Sequence, residues 1–241
     1  MKVQLFVPCF VDQLFPDTAF NMIKVLEKAG CSVSYNPSQT CCGQPAFNAG
    51  FWDEARTVCA KFLKDFNPDH YIVAPSASCV GFVKNYYKKL FLDSSLHHEV
   101  EAISKNIFEF TDFLVNIRKI EDVGAQLEGS ATYHDSCAAL RECKIKQEPR
   151  LLLSHVKGLE LKEMQDVETC CGFGGTFAVK FEPISIAMGE QKVEHALETQ
   201  AQYIISTDLS CLMHLQGYIN KKGYSLRTLH IADVLANGWS S

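Results

Sequence analysis

The chain has 241 residues, of which 47% are hydrophobic and 21% charged, with a formal net charge of −5. That balance suits a globular chain with a sizeable core and excludes a disordered one. The charge and the lack of a basic run argue against a nucleic-acid or membrane-surface binder, and no apolar stretch approaches the roughly 20 residues of a membrane span.

In chain order, residues 3–7 are apolar and β-prone and read as a buried strand. No secretory h-region is visible at this end, which places the chain in the cytoplasm. Asp17 is expected to cap a helix with Phe20, Ile23, Leu26 and Ala29 at helical spacing, stopped by Gly30. Residues 32–35 read as a second strand, and 51–66 as a helix with Ala55, Val58, Phe62 and Leu63 inward. Residues 71–74 form a third strand, with a helix after Cys79. The order then repeats, with strands at 131–134, 159–164 and 203–206 and helices at 146–155, 183–198 and 210–221. Alternating strands and helices imply parallel sheets with helices on their faces.

Eleven cysteines are present, an odd number that rules out complete pairing within the chain. Cys31, Cys59 and Cys143 read as small apolar core residues. The other eight form a repeat. Cys9 precedes Cys41-Cys42-Gly43 by 32 residues, and Cys137 precedes Cys170-Cys171-Gly172 by 33. A lone cysteine, Cys79 or Cys211, follows the next strand in each case. Segments 110–114 and 231–235 close the halves alike. The near-constant offset indicates an internal duplication into two parallel-sheet α/β halves with pseudo-two-fold symmetry, residues 1–120 and 130–241, joined by a linker at 120–129.

Each of these cysteines follows the end of a strand. In a parallel sheet those ends share one edge, so each half brings four thiols together. Four thiolates hold an iron–sulfur cluster or a tetrahedral zinc ion. Gly43 and Gly172 permit sharp turns and close backbone approach. Gly172-Phe173-Gly174-Gly175 lacks the Lys and Ser/Thr of a phosphate loop. Phe47, Phe173 and Phe177 suit either an apolar wall or core packing. Around the thiols, His134 and Asp135 could give acid–base or supporting contacts, although a satisfied strand-end histidine is the plainer expectation. His214, three residues after Cys211, is at most a backup ligand and more plainly a helix residue, and Arg141 either balances charge or, more plainly, lies on the surface. Nothing in the spacing ties His155 or Lys157 to chemistry. A thiol–disulfide oxidoreductase is disfavoured, because vicinal cysteines make a strained ring and no Cys-x-x-Cys pair is present.

The duplicated pattern resembles the cysteine-rich CCG-domain proteins, whose members include the cysteine-rich subunit of heterodisulfide reductase and the iron–sulfur subunit of glycolate oxidase. The carrying segments are Leu5-Phe6-Val7-Pro8-Cys9, Cys41-Cys42-Gly43-Gln44-Pro45-Ala46 and Pro75-Ser76-Ala77-Ser78-Cys79. In the second half they are Cys170-Cys171-Gly172-Phe173-Gly174-Gly175-Thr176-Phe177, Cys211-Leu212-Met213 and His230-Ile231-Ala232-Asp233-Val234-Leu235. The lactate-utilising branch of that family implies an iron–sulfur electron-transfer subunit of a multi-protein complex that oxidises L-lactate to pyruvate. Its partners would be a ferredoxin-like iron–sulfur protein and a third lactate-utilisation protein. No flavin or nicotinamide fingerprint is present, so this would be a non-flavin component of an oxidoreductase. The implied ligands are Cys9, Cys41, Cys42, Cys79, Cys137, Cys170, Cys171 and Cys211, holding one [4Fe-4S] cluster per half. The alternative is a zinc-binding structural or assembly module using the same thiols. The heterodisulfide reductase type carries a fifth cysteine in each half. Here Ser76 and Asp208 stand in those places, which leaves four thiols per half, with the two oxygen side chains supporting the site or capping helices.

Overall fold

The computed structural model describes residues 1–239, so the half read as 130–241 runs two residues beyond the described ones. The first sheet contains β1 (Lys2–Leu5), β2 (Ser32–Tyr35), β3 (Tyr71–Ala74) and β4 (Ile107–Glu109), in the order β2-β1-β3-β4. The second contains β5 (Gln126–Tyr133), β6 (Lys157–Leu161), β7 (Tyr203–Ser206) and β8 (Arg227–His230), in the order β6-β5-β7-β8. Every pairing within the two sheets is parallel. The chain passes from the central strand to one edge and then back to the other side, so the strand order reverses between β1 and β3, and between β5 and β7. Such switch points open a crevice at the strands' carboxyl ends.

Helices cover both sheets, and their buried stripes explain their placement. Helix Pro16–Lys28 starts with a proline at its first position, which has no N–H to satisfy, and stops at Gly30, whose φ is +75°. Asp17 lies in its first turn and does not cap it. Leu26 and Ala29 face inward as expected, but Ala19, Met22 and Val25 take the rest of the buried stripe, so Phe20 is 61% exposed. Helix Trp52–Asp65 turns Ala55, Cys59, Phe62 and Leu63 inward, with Cys59 in the place expected for Val58.

Two short strands, β4 and β8, add to the expected six, and β6 begins two residues earlier than expected. Strand β5 begins at Gln126, inside the segment read as a linker, and Val123 and Ala125 are buried. One apolar core also runs through both halves, from Val3, Leu5 and Met22 to Ala131, Leu215 and Leu235. Asp233, near the C-terminal end, accepts hydrogen bonds from Thr18 Oγ1 and Asn21 Nδ2 at 3.0 Å each. The duplicated units therefore pack as one body.

Both sheets end in the same device. Glu109 closes β4 and accepts from the N–H groups of Thr111 and Asp112, while His230 closes β8 and its Nδ1 accepts from Ala232 N–H. Glu109 is fully buried, and desolvation raises its carboxyl from 4.5 to about 8. A proton held in the folded state and lost in the unfolded one stabilises the fold below pH 4.5, and that contribution fades as pH rises through about 8. Denaturant titrations from pH 5 to 9 are expected to show a falling stability that Glu109→Gln flattens.

Candidate metal centre

The sheet edges carry the cysteines by short, local routes. Cys9 starts helix Cys9–Leu14 just beyond β1. Cys79 and Cys211 sit in the first turns of helices Ala77–Leu90 and Leu209–Lys222. A helix start favours thiolates, because its free N–H groups carry partial positive charge. The Cys41-Cys42 turn is tied to β1 by Gln39, whose Oε1 accepts from Val7 N–H at 2.7 Å and whose Nε2 donates to the Leu5 carbonyl at 3.1 Å. The side chain thus extends the sheet toward the first thiol pair.

The two glycines work identically. Gly43 and Gly172 both have φ of +92°, and each donates its N–H to the cysteine two residues back, Cys41 or Cys170, at 3.4 Å. A left-handed glycine folds the Cys-Cys turn so that both sulfurs face the sheet edge.

All eight repeated cysteines line one cavity of about 550 Å3. Both thiol sets therefore open into a single space between the halves. Phe47, Phe82, Tyr86 and Phe173 supply its apolar wall, while Arg141 and Glu142 add charge. All eleven cysteines are free. Cys42 Sγ lies 3.3 Å from Cys79 Sγ. Within each set one sulfur is held as thiolate. Hydrogen bonds from Cys42 and Cys9 lower Cys41 to about 3, and hydrogen bonds from Cys137 and Cys171 lower Cys170 to about 2. Their neighbours move the other way: Cys42 is raised by its bonds to Cys41 and Cys79 and by burial, and Cys171 by its bonds to Cys170 and Cys211. Thiols this close cannot all ionise without a cation among them. The donor set, soft sulfur from three separate strand ends, fits an iron–sulfur cluster or zinc.

Ser76 and Asp208 meet at the junction of the halves as an antiparallel bridge. Ser76 Oγ accepts from Cys79 N–H at 3.5 Å and caps helix Ala77–Leu90. Asp208 Oδ1 accepts from Ser210 N–H at 3.3 Å, capping helix Leu209–Lys222, while Oδ2 accepts from Ser78 N–H at 3.0 Å in the other half. One carboxylate thus faces the starts of both cysteine-bearing helices. Asp208→Ala is expected to cost about 2 kcal/mol of stability, more than Ser76→Ala, with bound metal retained in both. Loss of metal in either variant, measured by elemental analysis beside a denaturant melt, would make that oxygen a ligand.

The remaining candidates separate. Asp135 is buried against Arg150, which grips both its oxygens at 2.9 Å, and is a structural ion pair. His214 Nε2 lies 3.2 Å from the Ser185 carbonyl, an ordinary packing contact. His155 caps its own helix end on the surface, and Lys157 is exposed. Phe177 packs on Phe181. Cys31 is buried in the core, whereas Cys59 Sγ lies 3.4 Å from the Cys42 carbonyl and Cys143 Sγ 3.4 Å from that of Ala77, so these two buttress the site from behind.

His134 departs from expectation. It is fully buried, yet among the described residues neither ring nitrogen has a hydrogen-bond partner. Burial pushes it down to about 3, so the ring is neutral. Its nitrogen, Cys171 Sγ and Cys211 Sγ all lie within 4.8 Å of one another. Lys192, also fully buried, was missed by sequence reasoning. Its Nζ donates to the carbonyls of Asp166 at 2.6 Å and Val167 at 3.2 Å, bracing the loop that leads to Cys170. Aligning the two halves residue by residue would have exposed both positions.

Comparison with known proteins agrees with this geometry. The model of the CCG cysteine-rich domain matches twice, at residues 3–84 and 131–216. The chain is 42% identical to Lactate utilization protein A of Geobacillus thermodenitrificans over 235 residues, 98% of each chain. It is 40% identical to Lactate utilization protein A 2 of Bacillus cereus over 239 residues, 99% of each. Among solved structures, a hypothetical protein from Helicobacter pylori superposes with a TM-score of 0.61 at 10% identity, covering 100% of this chain and 49% of that one, a likeness of fold alone. The chain belongs to the CCG cysteine-rich domain family and carries that domain twice.

Proposed function

We propose that this chain is the iron–sulfur electron-transfer subunit of a cytoplasmic assembly that oxidises L-lactate to pyruvate. Full-length similarity to proteins named for lactate utilisation supports the pathway. The observation that carries the redox role is the single cavity lined by both thiol sets. Cys9, Cys41, Cys42 and Cys79 would hold one [4Fe-4S] cluster and Cys137, Cys170, Cys171 and Cys211 the other. When bound, such clusters would supply one-electron transfer. The chain's own contribution is to fix the thiols, cap the helices that carry them and wall off water with Phe47, Phe82 and Phe173. The partners would be a ferredoxin-like iron–sulfur protein and a third lactate-utilisation protein.

Zinc is the second reading, and one distance favours it. The 3.3 Å between Cys42 Sγ and Cys79 Sγ approaches the ligand separation of about 3.8 Å that a Zn–S bond of 2.3 Å sets in a tetrahedron.

Co-production with a ferredoxin-like iron–sulfur protein tests the subunit role. We expect the two to co-purify, and the isolated chain to leave lactate unoxidised with an artificial acceptor. Unaided lactate oxidation would show that the chemistry is contained in this chain.

A further inference from the structure

The halves share a backbone but differ behind their thiols. Phe6 N–H donates to the Val73 carbonyl at 2.9 Å, and His134 N–H donates to the Ile205 carbonyl at 2.8 Å. These are the same continuation of the central strand, so Phe6 and His134 are equivalent. A second equivalence follows from the helices behind the Cys-Cys turns. A Cβ at Gly43 would meet the Ala55 carbonyl, and one at Gly172 the Ser185 carbonyl. Ala55 therefore matches Ser185, and seven residues on, Phe62 matches Lys192.

In the first half Phe6 and Phe62 pack edge to face, with ring centroids 4.9 Å apart. In the second half the same two places hold His134 and Lys192, both fully buried. A buried aromatic pair costs nothing in unmet hydrogen bonds. A buried imidazole with both nitrogens unpartnered carries the desolvation penalty of each unmet group unless something else satisfies it. The atoms beside that ring are the sulfurs of Cys171 and Cys211, all within 4.8 Å. Lys192 places a buried amine near Cys171, Cys170 and the His134 ring.

We propose that the second-half centre is bound by a mixed nitrogen–sulfur set in which His134 coordinates beside Cys171 and Cys211, whereas the first-half centre is bound by thiolates alone. The inference rests on the reading that each half binds a metal centre. A centre bound in part by a neutral imidazole is less negative than one bound by thiolates alone, and the Lys192 charge acts in the same direction. Histidine ligation raises the potential of an iron–sulfur centre, so the second-half centre is the more easily reduced of the two. The cavity then has a direction, with electrons passing from the first-half thiols toward the second.

The test uses the full chain, purified without oxygen, with all histidines labelled by nitrogen-15, and compared with His134→Phe. A second variant, His134→Phe with Lys192→Phe, rebuilds the first half's aromatic pair and guards against misfolding, which circular dichroism checks. Pulsed electron paramagnetic resonance of the reduced iron centres, or of the cobalt-exchanged chain if the native ion is zinc, reads nitrogen bound to the metal. Expected is a strong histidine coupling that changes with the label and is lost in both variants. In the iron form, two midpoint potentials should draw together when His134 is replaced. A metal-loaded wild type without a histidine coupling, or a coupling that survives His134→Phe, overturns this inference and leaves the metal-centre reading intact. A wild type that binds no iron, sulfide or zinc overturns both.

Discussion

Cys42→Ser and Cys171→Ser are each expected to lose the metal of their own half, and cells carrying either variant to lose lactate-dependent growth. Each of these cysteines is buried, opens into the shared cavity and lies against another thiol of its set. Serine keeps the volume but offers a harder oxygen donor, poorly suited to iron–sulfur iron or thiolate zinc. Cys59→Ala is the matched control. Its sulfur is equally buried but sits behind the Cys42 carbonyl, outside the cavity lining. We expect Cys59→Ala to retain full metal and growth, at a stability cost of about 1 kcal/mol for a small void. Elemental analysis of the three variants checks this. Full metal in both serine variants would remove the cysteines from the ligand set.

Gly172→Ala has the largest expected effect on folding. At φ of +92° any side chain is strained, by about 1–3 kcal/mol. The added Cβ would also lie 2.5 Å from the Ser185 carbonyl and 2.8 Å from Met188 Cβ. A backbone carbonyl cannot step aside, so helix Glu182–Glu198 must move, and the Cys170-Cys171 turn with it. At Gly43 the obstacle is softer, because the nearest atom is Cys59 Sγ at 2.8 Å, with the Ala55 carbonyl at 3.3 Å. Gly43→Ala should therefore destabilise less than Gly172→Ala, and Cys59→Ala should recover part of its loss. Urea unfolding of the two alanine variants and of the double variant measures this. Equal losses, or no recovery in the double variant, would contradict the packing described.

Much of the fold was legible because its signals were local. Apolar runs at 3–7, 71–74 and 203–206 marked central strands, and the cysteine spacing marked the duplication. The edges were harder. β4 and β8 are three and four residues long, too short for an alternating pattern to stand out. The linker was misplaced because Gly124 and Gly129 looked like chain breaks, whereas Gly129 (φ +134°) sits at an irregularity inside β5. Phe20 looked inward by spacing, but the sheet engages the neighbouring stripe.

The eight cysteines were legible as a group because strand ends converge in any parallel sheet. The rest of the site depends on contacts that spacing does not encode. A lysine within a helix ordinarily reads as surface, and only the packed helix shows Lys192 buried. His134 read as a satisfied residue because most buried histidines are; the missing partners appear only in three dimensions. Asp208 was read as belonging to one half, yet it binds the backbone of both.

Iron, acid-labile sulfide and zinc, measured per chain on protein purified and kept without oxygen, test the central claim most directly. One [4Fe-4S] centre in each half predicts a brown protein with close to eight irons and eight sulfides per chain and little zinc. A colourless protein prepared the same way, with zinc bound at the thiols and neither iron nor sulfide, would contradict it.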